Sequence, residues 1–249
     1  MRYFAIIIDG DLENTLGGAC SRDVWNISNK FINDIQPTAN DVYLFFHNLS
    51  SDKYASKLSR IGARNISESN LHNIKKCFDD VVNQVNSEQE QSVVFFHYSG
   101  HGYQVPDIEG DEVDGFDDIF LGHSMKDDFI WDNLIVKLPR RSHFFALIDA
   151  CHSGSGVDMP YLWKNNTWNL HKKKNILADC SGYSLSACSD TECASQDIGE
   201  TTGFGGSLTA GICDLGNFAN IIFNPFSVYD GLVTRLKKLN QTVELYSVK

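Results

Sequence analysis

Nowhere in the 249 residues does an apolar run approach the roughly 20 residues that a helix needs to span a bilayer. Proline is scarce at 5 residues, and no proline-rich linker, internal repeat or low-complexity tract divides the chain. Basic residues are in deficit, 21 Lys and Arg against 32 Asp and Glu, for a formal charge of −11. That balance excludes the basic footprint of a nucleic-acid binder. It favours basic ligands or substrates instead. No two cysteines stand at CxxC spacing: even Cys180, Cys188 and Cys193, the closest group, do not form a zinc pattern. Seven cysteines scattered over the chain are odd in number for a secreted disulfide framework, and read as free thiols of a reducing compartment. The apolar stretch at 4–8 is too short for a secretory signal and has no small-residue cleavage site, so a cytoplasmic protein is expected.

What is present is alternation. Near-continuous apolar runs at 3–9, 41–47, 92–98, 143–149 and 183–187 predict strands buried on both faces, as in a parallel sheet. Helix-like stretches at 22–33, 68–86 and 132–138 lie between them, with two more at 207–215 and 227–239 and an edge strand at 242–248. In the second, Leu71, Ile74, Phe78, Val81, Val82 and Val85 mark one helix face, with Ser67 or Ser69 as candidate caps. The fold class expected is α/β with a mostly parallel central sheet, in a single domain spanning 1–249. The polar segment 159–179, with Asn165-Asn166 and three consecutive lysines, reads as an exposed loop insertion. In open sheets of this kind ligands sit beyond the carboxyl ends of the strands.

Two strand ends carry reactive side chains. One is Phe95-Phe96-His97-Tyr98-Ser99-Gly100-His101-Gly102; the other is Ala146-Leu147-Ile148-Asp149-Ala150-Cys151-His152-Ser153-Gly154. If the strands are parallel neighbours, His101 and Cys151 project from the same edge. An imidazole there can take the thiol proton or pair with the thiolate. The glycines let backbone approach a substrate, with the N–H groups of Gly102 and Cys151 as natural oxyanion donors. A single cysteine closing a buried strand is more often an inert core residue, and a single histidine beside glycine is more often a turn residue. The joint occurrence favours catalysis. His152 is the weaker base because adjacent side chains on an extended segment diverge; His47 and His97 lie inside strands and read as packed.

These segments, the acidic stretch after the first, and Val157-Asp158-Met159-Pro160-Tyr161 resemble the metacaspases over nearly the whole chain. The resemblance implies the caspase–haemoglobinase fold and a monomeric cysteine endopeptidase that cuts after Arg or Lys. It assigns the basic-residue pocket to Cys20, Asp23, Ser99 and Asp149. Two carboxylates at strand ends suit a charge-assisted grip on guanidinium or ammonium. Asp23 also has a reading as a first-turn helix acid, whereas Asp149, closing an apolar strand, needs a partner.

The resemblance further implies calcium as activator, held by Asp117, Asp132, Asn133 and Asp158, with Asn133 replacing a carboxylate by an amide. Seven of the twelve residues at 107–118 are acidic, a pattern of either a solvated loop or a hard-cation site, and not an EF-hand. Tyr103 stands where the family has glycine, and a minimal peptidase core without the family's N-terminal prodomain is expected. Self-cleavage is expected after Lys164, Lys172, Lys173 or Lys174. The alternatives are the same dyad with Asn or Asp specificity, and a quiet interaction module of the same fold.

Overall fold

The computed structural model describes residues 1–38, 41–60, 63, 65–108, 110, 112, 115–172, 177–199 and 203–249. Strand side chains alternate between faces, and the core divides accordingly. In β1 (Arg2–Gly10), Phe4, Ile6 and Ile8 join one buried cluster while Ala5 and Ile7 join the other. β4 (Ser92–Gly100) and β8 (Ser142–Asp149) split the same way, Phe96 and Ala146 on one side, Phe95 and Phe145 on the other. Both faces are covered, which explains the near-continuous hydrophobicity of these strands.

Among the described residues β1, β4 and β8 belong to a nine-stranded sheet. β2 (Val42–Phe46) and β3 (Asn65–Glu68) extend it parallel on one side. β11 (Ser181–Ser186) adds parallel to β8 on the other, followed by antiparallel β14 (Glu244–Ser247). The first cluster is covered by α3 (Leu71–Ser87) and α4 (Asp127–Asn133). The second is covered by α1 (Ala19–Ile35), α2 (Lys53–Arg60), α5 (Ser207–Asp214), α6 (Phe218–Phe223) and α7 (Phe226–Lys237). Phe95 centres that face, stacked on Phe31 at 5.5 Å and edge-on to Phe218 at 4.8 Å.

A small antiparallel sheet of β5 (Gly102–Pro106), β6 (Phe116–Phe120) and β7 (Met125–Lys126) leaves the carboxyl edge directly after His101. A ribbon of β12 (Gln196–Gly199) and β13 (Gly203–Gly206) lies over the same edge.

Several expectations are corrected. α3 begins at Leu71, capped by Asn70 rather than Ser67 or Ser69: its side chain accepts from Asn73 N–H at 2.9 Å. The helix expected at 132–138 starts earlier, at Asp127, whose own carboxylate and that of Asp128 suit the positive helix N-terminus. It ends when Leu134 leaves helical backbone angles, and a 3-10 turn, Ile135–Lys137, follows. The exposed loop placed at 159–179 contains a hairpin, β9 (Tyr161–Lys164) and β10 (Thr167–Leu170), added to the sheet against β14. Asn165 and Asn166 take positive φ, 55° and 58°, at its two-residue turn. Lys164 is exposed, but Lys172 is buried, and Lys173 and Lys174 lie outside the described residues.

Candidate active site

Sheet register brings the chemistry together. Ser99 pairs with Asp149 across β4 and β8, and Asp9 pairs with Ser99 across β1 and β4. Two residues beyond that row come His101 and Cys151, from adjacent parallel strands. They face one cleft with Cys20, Asp23, Ser99 and Asp149. Every pocket residue expected from sequence is therefore in the cleft that holds the dyad.

His101 is anchored through its backbone. The hydroxyl of fully buried Tyr98 donates to the His101 carbonyl at 2.8 Å and accepts from Leu121 N–H at 3.0 Å. Its ring Nε2 lies 2.6 Å from Thr15 Oγ1 and 3.5 Å from Asp11 Oδ1. Asp11 is buried and held in turn by Thr15 and Leu16 N–H, each at 2.9 Å. Tyr103 stacks on His123 at 4.0 Å and lies 6.0 Å from the His101 ring.

The Cys151 thiol is half-buried, with Sγ 4.0 Å from the Ala194 carbonyl. Burial is the main cause that pushes it up to about 11, and a neighbouring thiol, Cys193, adds to the rise. Gly102 sits so close that a Cβ there would overlap the Cys151 carbonyl oxygen, a backbone atom that cannot swing aside. Gly102→Ala is expected to shift the strand end and lower kcat/KM by roughly 10²-fold, the usual scale for an ångström-sized misplacement. Steady-state kinetics on a folded variant check this.

Two further histidines are held by partners of their own, while His47, expected inside a strand, lies in the turn just past β2 and is half-buried. His97 is fully buried, its Nε2 2.9 Å from Thr209 Oγ1, and burial lowers it to about 3, so it stays neutral. His152 takes φ of 50° and turns its Nδ1 to the Asp190 carbonyl at 2.6 Å.

Beneath the dyad lie two buried carboxylates. Asp23 accepts from Ser99 Oγ at 2.7 Å and from Gly206 N–H at 2.9 Å. Asp149 accepts from Thr209 N–H at 2.7 Å. Burial pushes Asp149 up to about 6, against the Thr209 hydrogen bond. Burial and then the Asp149 charge push Asp23 well above the ordinary carboxylate range. A paired site of this kind takes up its second negative charge when a cation arrives. Side chains at 205 and 206 would collide with Asp23 and Asp149, so Gly205 and Gly206 are what let β13 close over them. Sequence reading missed that wall, although Gly205-Gly206 ahead of a helix was a visible signal of close approach.

The expected calcium ligands are brought together only in part. Asp132 is exposed, and Asn133 spends its amide on the Phe129 carbonyl at 3.0 Å. Both project away because they fall in the last turn of α4. The carboxylates that gather are Asp127 with Asp128 and Asp158, and Asp127 with Glu112 and Asp117. All are oxygen donors suited to a hard cation. Asp117 is buried with its Oδ1 lacking any hydrogen-bond partner, so the cluster has a lone pair to give. It touches both halves of the dyad's framework: Asp117 is on β6, which pairs with β5 from Gly102 onward, and Asp158 ends the loop that starts at Cys151.

Residues 5–160 match the family described as metacaspase, peptidase C14 domain. Metacaspase-1 of Cryptococcus neoformans var. neoformans serotype D (strain JEC21) is 40% identical over 111 residues, 41% of this chain and 23% of that protein. Metacaspase-1 of Schizosaccharomyces pombe is 38% identical over 101 residues, 38% of this chain and 23% of that protein. Metacaspase-1 of Yarrowia lipolytica is 36% identical over 121 residues, 46% and 25% of the two chains. The matched region thus spans about a quarter of the length of these relatives. Among solved structures, protein GSU0716 from Geobacter sulfurreducens superposes with a TM-score of 0.56 over 99% of this chain and 93% of that one. At 16% identity that likeness is one of fold.

Proposed function

The chain belongs to the metacaspase family of caspase-like cysteine peptidases, and on that premise we propose that it is an endopeptidase cleaving after Arg or Lys with Cys151 and His101 as its dyad. The observation that carries this reading is the shared cleft, where the paired strand ends supply thiol, imidazole and the buried Asp149 carboxylate, and α1, not a strand end, supplies Asp23. A basic side chain enters between Asp23 and Asp149. His101 takes the Cys151 proton as sulfur attacks the scissile carbonyl, and then delivers it to the leaving amine. The N–H groups of Gly102 and Cys151 hold the developing oxyanion. Water, activated by His101, hydrolyses the thioester. Base and nucleophile act together at the moment of attack, the imidazole coming within reach of the thiol as substrate fills the cleft they both line.

A fluorogenic assay with Arg-, Lys-, Asn- and Asp-ending peptides tests the specificity. Arg and Lys peptides should be turned over; faster cleavage of Asn or Asp peptides would assign the legumain- or caspase-like alternative, and no turnover of any would leave an interaction module.

Calcium is the activator in this reading, with Asp117, Asp127, Asp128 and Asp158 as the residues that would hold it and Glu112 at the rim. Its charge would tie β6, where Asp117 pairs with Val105 near the end of β5, to the end of the Cys151 loop. Asp128→Asn removes one ligand charge without touching the dyad. Calorimetry should show calcium binding to the parent protein and at least ten-fold weaker binding to that variant. Full activity in chelator, with no binding up to about 10 mM, would end the assignment. Self-cleavage after Lys164 or within Lys172, Lys173 and Lys174 fits the same pocket.

A further inference from the structure

Lys172 has 0% exposed side-chain surface, as do Asp127 and Asp158. Its ammonium group lies 2.5 Å from Asp158 Oδ1 and 3.3 Å from Asp127 Oδ2, and it also binds Glu112 Oε1. Those three carboxylates belong to the cluster gathered around Asp127. A lysine buried this completely is among the rarest of side-chain placements and requires compensating charge. The chain delivers it deliberately. After the hairpin β9–β10, His171 and Lys172 both donate N–H to the Pro160 carbonyl, at 2.7 and 3.2 Å. The His171 ring packs edge-on to Tyr246 at 5.5 Å. The backbone thus returns next to Asp158, and the four-carbon stem reaches the carboxylates.

We infer that Lys172 is a built-in counter-cation, holding the acidic cluster closed in the resting protein, and that a divalent cation binds there by expelling its ammonium group. The inference rests on the calcium reading above and adds its regulation. Two cations cannot share carboxylate oxygens at hydrogen-bond distance, since like charges repel strongly where water is excluded. A lysine tethered 14 residues from Asp158 presents itself at the effective concentration of a short loop, in the millimolar range or above. Calcium must outcompete it. The same exchange releases a lysine side chain that is otherwise inaccessible to any basic-residue pocket, so cation entry and exposure of Lys172 are one event.

The test uses Cys151→Ala protein, which cannot cut itself. Calcium chloride is titrated calorimetrically into this parent, into Lys172→Met and into Lys172→Arg. The methionine variant should bind calcium at least ten-fold more tightly than the parent, and the arginine variant no more tightly, because arginine restores the internal cation. In parallel, the parent is treated with an amine-acylating reagent in chelator and in saturating calcium, and Lys172 is read by peptide mass spectrometry. It should be protected in chelator and acylated with calcium. Equal calcium affinity of parent and Lys172→Met would overturn the gate while leaving calcium binding in place. No binding by either would overturn the calcium reading and the gate with it. If Lys172→Met fails to fold without the internal cation, the acylation decides: protection unchanged by bound calcium refutes the exchange.

Discussion

Cys151→Ala is expected to lower kcat by a factor on the order of 10⁴–10⁶, and His101→Ala to fall in the same range, with the fold intact in both. The fold should survive because neither side chain belongs to the two hydrophobic clusters that hold the sheet. The Cys151 side chain is half-buried at the cleft, and alanine fits in the same place. The hydrogen bond that locks the His101 strand end runs from Tyr98 to the His101 backbone carbonyl, which the substitution leaves untouched. Since thiol and imidazole act as one unit, the double variant should be no slower than either single. Circular dichroism and thermal melting check the fold; turnover of an Arg-ending fluorogenic peptide checks the chemistry. More than a few per cent of parental activity in Cys151→Ala would remove Cys151 from the mechanism. Cys20 is a poor substitute nucleophile, because burial, then Asp9 and Asp23, push its thiol well above the ordinary range.

The second large effect concerns the paired carboxylates. Asp149→Asn would leave an incoming guanidinium with half its counter-charge in a desolvated pocket. The expected cost is about 2–5 kcal/mol in kcat/KM for Arg and Lys peptides. The pH dependence has a defined sign. Asp149 is raised to about 6, so the pocket carries its charge above that pH and loses it below. KM for an Arg-ending peptide should therefore rise as pH falls from 7 through 6 toward 5, while Asp149→Asn should change the position of that limb, because Asp23 is then the one carboxylate of the pair left to titrate. A bound cation favours ionisation, which moves the limb in the complex to lower pH, never higher. A KM that stays flat over this range in the parent, or an Asp149→Asn variant with undiminished Arg preference, would show that the basic side chain is held elsewhere.

The sequence by itself determined the parts of this protein that depend on local pattern. Apolar runs such as 92–98 are legible as buried strands because two covered faces demand hydrophobicity at every position. His101 and Cys151 are legible because each ends such a strand in a glycine-bearing turn, and parallel strands put their carboxyl ends on one edge. Asp23, Ser99 and Asp149 followed from resemblance; the register of β4 and β8 sets Ser99 beside Asp149, and α1 brings Asp23 onto Ser99 in the same cleft. Tertiary structure alone decided what depends on distant segments meeting. The acidic cluster draws on β6, α4, the loop after Cys151 and Glu112 from the segment before β6, and a side chain's position along the helix decides whether it reaches the others. Asp127 and Asp128, at the first turn of α4, point toward Asp158; Asp132 and Asn133, in its last turn, do not. Lys172 shows the limit most plainly. In sequence it is one of three lysines in a polar stretch, indistinguishable from a solvated patch, because charge alone cannot reveal whether a side chain meets water or a ring of carboxylates. Only the hairpin that carries the chain back to Pro160 buries it.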